Sequence, residues 1–236
     1  MSSATITFLS YGNERFKQSI VRIADEAKRF PFNHIITFTE NDLAQRFPAF
    51  WEKNREFIRL NPRGGGYYIW KSFLIQQVLS NMRDGEILVY VDAGCVLDVS
   101  RLTRFDEYIE LLHNRQPVLT FDVGLPQRDW TKMDAAVALG CTDELERGQC
   151  ITTSILLRKC SQTTALIDEW VAASAEYHLI DDSPSSAPNH PGFQEHRHDQ
   201  SLWSCLVYKH GFHPIPDETW PVDRPNGPFL AARMRE

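Results

Sequence analysis

The chain has 236 residues, 42% hydrophobic and 24% charged, which suits one large globular domain spanning 1–236. A net charge of −6 argues against a nucleic-acid partner, and no apolar run is long enough to span a bilayer. The first residues, MSSATITFLSYGNERF, lack a basic segment before a long apolar core, so a cytoplasmic setting is expected. Five cysteines at 95, 141, 150, 160 and 205 form no CxxC pair, and buried free thiols are expected rather than a disulfide framework or zinc knuckle.

ATITFLSYG (4–12) reads as a buried strand that breaks at Gly12, and Phe16, Ile20, Ile23 and Ala27 mark a helix over 14–29. NHIITFTE (33–40) is a second strand, and the three elements suggest a parallel βαβ unit. Residues 41–62 read as helix and then irregular chain up to Pro62. Gly64, Gly65 and Gly66 then lead into a helix carrying Ile69, Phe73, Leu74, Val78 and Leu79.

EILVYVDAGCVLD (86–98) follows, an apolar strand ending at Asp92, beside which Ala93 and Gly94 leave room. Ligands bind at such carboxyl ends in open α/β sheets. The plainer reading makes Asp92 a turn residue, with Asp98 capping the next helix. Helix over 101–115, strand over 117–122, helix over 130–139, strand over 149–159 and helix over 161–179 complete an alternating α/β pattern. Residues 181–197, DDSPSSAPNHPGFQEHR, read as a long loop with few apolar anchors, mobile without ligand and ordered with it. A helix from about 198 to 209 and a Pro-rich tail end the chain.

Three polar clusters could carry chemistry. Between Arg63 and Lys71, the glycine amides and a helix start at Tyr67 would favour a phosphate, with both cations adding charge. Neither GxGxxG nor a P-loop is present. At the strand end, Asp92 could hold a hard divalent ion that bridges phosphates. In EHRHDQS (195–201), six consecutive polar residues follow the loop, and Asp199 falls at a helix start, where it could also be a mere cap. Glu195 and Asp199 are the candidate catalytic carboxylates.

The strand-end loop at Ser10, Tyr11 and Gly12, with GGGYYIWKSFLI, VYVDAGC and HRHDQS in that order, resembles the GT-A class of nucleotide-sugar glycosyltransferases, and within it a little-characterised bacterial group. The similarity runs from about residue 4 to 215. It implies a Rossmann-type fold with a mainly parallel central sheet flanked by helices. It also implies transfer of a sugar, a hexose above all, from a nucleoside-diphosphate donor such as a UDP-sugar to a glycan, lipid-linked or other hydroxyl acceptor, as in polysaccharide biosynthesis. The work would be done in the cytoplasm or at the inner face of the membrane, with peripheral membrane association left open.

Donor contacts implied are Ser10, Tyr11, Gly12, Arg63, Lys71, Asp92, Ala93, Gly94 and Gln200. Asp92 would belong to a DxD-type motif holding Mn²⁺ or Mg²⁺ on the diphosphate. The sequence departs from that motif, because position 94 is glycine. A second ligand from His198 or His196 would then be needed; a metal-independent reaction, with Arg63 and Lys71 neutralising the leaving group, is the other course. A catalytically inactive nucleotide-sugar-binding module of the same fold is the alternative function, and a phosphohydrolase is a third.

Overall fold

The computed structural model describes residues 4–220 and 226–234. It begins with strand β1 (Ile6–Gly12), helix α1 (Lys17–Ala27), β2 (His34–Thr39), α2 (Glu40–Arg46) and α3 (Pro48–Leu60). Helicity therefore persists to Leu60 where irregular chain was expected, because Pro48 sits in the first turn and merely restarts the helix. A kinked turn α4 (Gly64–Tyr67) and helix α5 (Ile69–Ser80) lead to β3 (Ile87–Val91) and the short β4 (Val96–Leu97). Next come α6 (Leu102–Asn114), β5 (Val118–Leu119), β6 (Phe121–Pro126), α7 (Gln127–Trp130) and α8 (Met133–Leu139). The chain continues through β7 (Gly148–Cys150), β8 (Ser154–Arg158), α9 (Ser161–Ala175), α10 (Tyr177–Ile180), α11 (Asp199–Lys209), β9 (Ile215–Pro216) and β10 (Phe229–Leu230). The Pro-rich tail lies partly outside the described residues, at 221–225.

Alternate residues of the central strands feed two separate cores, as the two-residue side-chain period dictates. Leu88 and Tyr90 of β3 enter one core, with Leu74 and Ile75 of α5, Trp170 of α9 and Trp203 of α11. Ile87, Val89 and Val91 enter the other, with Ile20 and Ile23 of α1 and Phe105 and Tyr108 of α6. A sheet buried on both faces explains why β3 reads as an uninterrupted apolar run. The result is a three-layer α/β arrangement, a mainly parallel sheet between two sets of helices.

The main sheet has the order β2-β1-β3-β8-β5. β2 and β3 both run parallel to β1, whereas β8 is antiparallel to β3 and β5 is antiparallel to β8. Only β8 therefore opposes the others. The chain leaves β1 toward β2 on one side and returns to place β3 on the other. That reversal is a topological switch point, and the crevice beyond the carboxyl ends of β1 and β3 is where such sheets bind ligands.

One cysteine expectation is corrected. Cys141 and Cys205 form a disulfide across 64 residues, while Cys95 and Cys150 are buried free thiols and Cys160 is a half-buried one. Sequence spacing gives no hint of the pair, because only the packing of α11 beside the end of α8 brings it together. No helix among the described residues is long and apolar enough to cross a membrane.

Candidate active site

At the switch point, the helix before β3 delivers a buried cation to the strand's terminal carboxylate. Lys71, in the first turn of α5, is 1% exposed, and its Nζ lies 3.2 Å from Asp92 Oδ1 and 2.9 Å from Asp199 Oδ2. It also donates to the Thr152 carbonyl at 3.2 Å and reaches Thr152 Oγ1 at 3.3 Å. The rings of Tyr68, Tyr90 and Trp70 surround the ammonium at 5.0, 5.4 and 5.8 Å. Burial works against this charge, yet Asp199 and Asp92 together hold the lysine pKa above its ordinary value.

Lys71, expected from sequence to add positive charge for a phosphate, is buried rather than solvated. Its charge is spent inside the protein, between two carboxylates.

Those carboxylates differ in access. Asp199 is 3% exposed and occupies the first turn of α11, where it faces Lys71 instead of capping the helix. Its Oδ2 has no partner in hydrogen-bond geometry, so the contact is an ion pair. Asp92 keeps 26% of its side chain accessible. Tyr90, two residues earlier on the same strand face, donates to Asp92 Oδ1 at 2.5 Å. Desolvation raises the Asp92 pKa, while Lys71 and the Tyr90 hydroxyl pull it the other way. Asp92 is thus the carboxylate that meets solvent, and Asp199 stands behind Lys71. Asp98, as expected, caps the next turn by accepting from the Ser100 amide at 2.9 Å.

The glycine segment also departs from expectation. The amides of Gly65, Gly66 and Tyr67 donate to the carbonyls of Pro62, Asn61 and Arg63, so they are not free to cradle an anion. The helix starts at Ile69, two residues later than expected. Gly66 has φ +80°, and a Cβ there would meet Ile58 at 2.8 Å, which accounts for the glycine.

Strain is concentrated here. The four described non-glycine residues with positive φ are Tyr67, Tyr68, His198 and Arg233. Tyr68 and His198 immediately precede α5 and α11, and Arg233 packs beside Gly94. Such conformations cost about 1–3 kcal/mol each and gather at functional sites.

Ser10, Tyr11 and Gly12 lie within β1 and face the interior. Ser10 donates to the Val91 carbonyl at 2.7 Å, and Tyr11 packs on Trp70 at 3.9 Å between ring centroids. A Cβ on Gly12 would meet the Phe16 carbonyl at 3.0 Å. The strand runs through Gly12, so the solvent-facing residues begin at Asn13. There an open cleft of about 630 Å³ is lined by Asn13, Glu14, Glu40, Trp51, Arg55 and Gly65.

Ala93 is buried, and its carbonyl accepts from Arg22 at 2.9 Å. Gln200, half-buried, donates to Gln149 at 3.0 Å. Glu195 sits on the surface, 3.4 Å from Arg63, whose guanidinium also lies 3.7 Å from Asp182.

The residues do not fit a protein-held divalent cation. Both nitrogens of His196 are occupied: Nδ1 accepts from the Lys132 amide at 3.2 Å and Nε2 donates to the Leu179 carbonyl at 2.9 Å. Burial, with the charges of His198 and Lys132, pushes its pKa down to about 3. His198 stacks on Tyr67 at 4.6 Å and gives Nε2 to Asp182 at 2.9 Å. Among the described residues no group of three or more His, Cys, Asp or Glu side chains could hold a metal ion. Of the two expected ligands, His196 has both ring nitrogens engaged and His198 has its Nε2 engaged.

The 181–197 loop has the polar anchors that its sequence conceals. Asp134 accepts from the amides of Ser186 and Ala187 at 2.6 and 2.8 Å, and buried Lys132 grips Asp181 at 3.1 Å. Sequence reading missed Tyr90, Thr152, Arg197 as an individual residue, and Arg233. The tyrosine in VYVD was a usable signal, since a hydroxyl two residues before Asp92 shares its face.

No family model matches the chain, and no curated protein does. Among solved structures, mouse xyloside xylosyltransferase 1 in its apo form is similar at TM-score 0.49 and 12% identity, covering 92% of this chain and 87% of that one. A glycosyltransferase involved in the glycosylation of the major capsid of PBCV-1 gives TM-score 0.48 and 11% identity, over 96% and 93% of the two chains. The apo-form glycosyltransferase GlyE of Streptococcus pneumoniae TIGR4 gives 0.45 and 10%, over 92% of this chain and 46% of that one.

Proposed function

We propose that the chain is a glycosyltransferase that moves a sugar from a nucleoside-diphosphate donor, UDP-linked above all, to a hydroxyl acceptor. The observation that carries this reading is the Asp92–Lys71–Asp199 array at the carboxyl edge of the switch point. Its motifs are the ones that resemble the GT-A class, and they come together in space.

In this reading the nucleoside occupies the cleft beside Asn13 and Trp51, and the diphosphate runs toward Asp92. The acceptor oxygen attacks the anomeric carbon as the bond to the diphosphate oxygen breaks, through an oxocarbenium-like state. Asp92 takes the acceptor proton. Its partial exposure lets it reach substrate, and its raised pKa suits a base better than an ordinary aspartate. Lys71 and Asp199 are positioning residues that fix Asp92 from behind. Glu195 stays at the rim with Arg63.

The test is incubation with a panel of UDP- and GDP-sugars, with and without simple glycoside acceptors, measuring released nucleoside diphosphate. Release above the uncatalysed rate is expected for at least one donor. Binding of a nucleotide sugar with no turnover under any acceptor would favour the inactive binding module instead.

A further inference from the structure

This inference rests on the glycosyl-transfer reading. We propose that Arg63, Arg197 and Arg233 clamp the donor diphosphate and supply the counter-charge, so that donor binding needs no divalent cation.

The two carboxylates that could have shared a cation share an ammonium instead, at 3.2 and 2.9 Å. Asp92 Oδ1 has both Tyr90 and Lys71 as partners. At position 94 the C-terminal segment crosses the loop, and the Met234 amide donates to the Gly94 carbonyl at 2.8 Å. A Cβ on Gly94 would lie 3.3 Å from the Met234 carbonyl oxygen and 3.4 Å from Arg233 Cα. A side chain at position 94 would press on that backbone and on the Phe16 ring, and the same segment carries Arg233 past the loop.

The three arginines come from separate segments, and the charges of Arg63 and Arg233 are both felt at Arg197. Arg197 precedes Asp199 by two residues, and its guanidinium lies 4.1 Å over the Trp130 ring, which fixes its plane. Its Nε is buried with no hydrogen-bond partner. Arg63 is tied at 3.4 Å to Glu195, two residues before Arg197, and is about half exposed. Arg233 is exposed and stands beside Gly94.

Burial lowers the Arg197 pKa first, Glu195 opposes that, and Arg233 and Arg63 lower it further, the signature of like charges held close. Glu195 and Asp182 offset part of the cluster, and a diphosphate would offset the rest. Guanidinium forks match phosphate oxygens two at a time, so planar arginines suit this ligand better than lysines. When the anomeric C–O bond breaks, its electron pair stays on the diphosphate oxygen, where fixed cations stabilise it.

Calorimetric titration of UDP and of inorganic pyrophosphate, in EDTA and again with excess Mn²⁺, tests this directly. Affinities in the two buffers should agree within about threefold. Arg197→Gln and Arg233→Asn should each weaken both ligands about tenfold, the loss of one charge-assisted contact. Asparagine tolerates the positive φ of Arg233, so that variant keeps the fold if Arg197→Gln does not. Binding seen only with Mn²⁺, or unchanged binding in Arg233→Asn, would overturn the clamp while leaving glycosyl transfer standing. Absence of binding in both buffers would overturn the glycosyl-transfer reading and the clamp with it.

Discussion

Lys71 Nζ lies 2.9 Å from Asp199 Oδ2, and both side chains are withdrawn from solvent. Neither charge would survive there alone, because a buried unpaired ion costs several kcal/mol. Lys71→Met should therefore destabilise the fold by about 3–5 kcal/mol in chemical denaturation, the usual cost of removing one partner of a buried pair. Adding Asp199→Asn to Lys71→Met should recover part of that loss. A double variant no more stable than the single one would show that the two residues do not interact.

The strands, their alternation and the switch-point aspartate were legible in the sequence because each depends on local pattern. Asp92 at the end of ILVYV is the clearest case. The role of Lys71 was not legible, because a lysine in the first turn of a helix looks the same in sequence whether it faces water or a buried carboxylate. Its partner Asp199 is 128 positions away, and only the packing of α11 against α5 brings the two together. The buried strand ending at Gly12 was legible too, and Ser10 to Gly12, named as donor contacts from the resemblance, are buried within that strand. His196 and His198 read as candidate ligands in sequence because hydrogen bonds to Lys132, Leu179 and Asp182, made through the fold, leave no local trace.

Tyr90→Phe tests whether the strand tunes Asp92. The tyrosine hydroxyl stabilises the carboxylate, so its loss should raise the Asp92 pKa further. The acidic limb of the turnover-versus-pH profile should move to higher pH. An unmoved limb would show that Asp92 does not set it.

His196 gives a stability signature with a definite sign. Its folded pKa, about 3, lies below the unfolded value of about 6.5, so the unfolded chain binds the proton more readily. The stability tied to neutral His196 is complete above about pH 6.5 and is lost as pH falls toward 3, at about 1.4 kcal/mol per unit. His196→Gln can still accept from Lys132 and donate to Leu179. It should flatten the fall in stability between pH 6 and 4, and parallel curves for the two proteins would contradict this.

Asp134 holds the 181–197 loop through the amides of Ser186 and Ala187, and these bonds keep its pKa well below the usual carboxylate range. Its contribution is present above about pH 3.9, the unfolded value, and is lost as pH falls from there through the lowered folded one. At neutral pH, Asp134→Ala should speed limited proteolysis within 181–197 about tenfold, a loss of roughly 1–2 kcal/mol of local stability. Equal cleavage rates would mean the loop is anchored elsewhere.

The proposed chemistry turns on Asp92, and the most direct measurement is nucleotide-sugar turnover by Asp92→Asn beside the wild type, with UDP affinity measured in parallel. The substitution keeps the side chain's shape and removes its charge. Turnover should fall by roughly a hundredfold or more, the usual contribution of a general base, while UDP affinity changes by less than about threefold. Turnover equal to that of the wild type would contradict the assignment of the active site to the carboxyl end of β3.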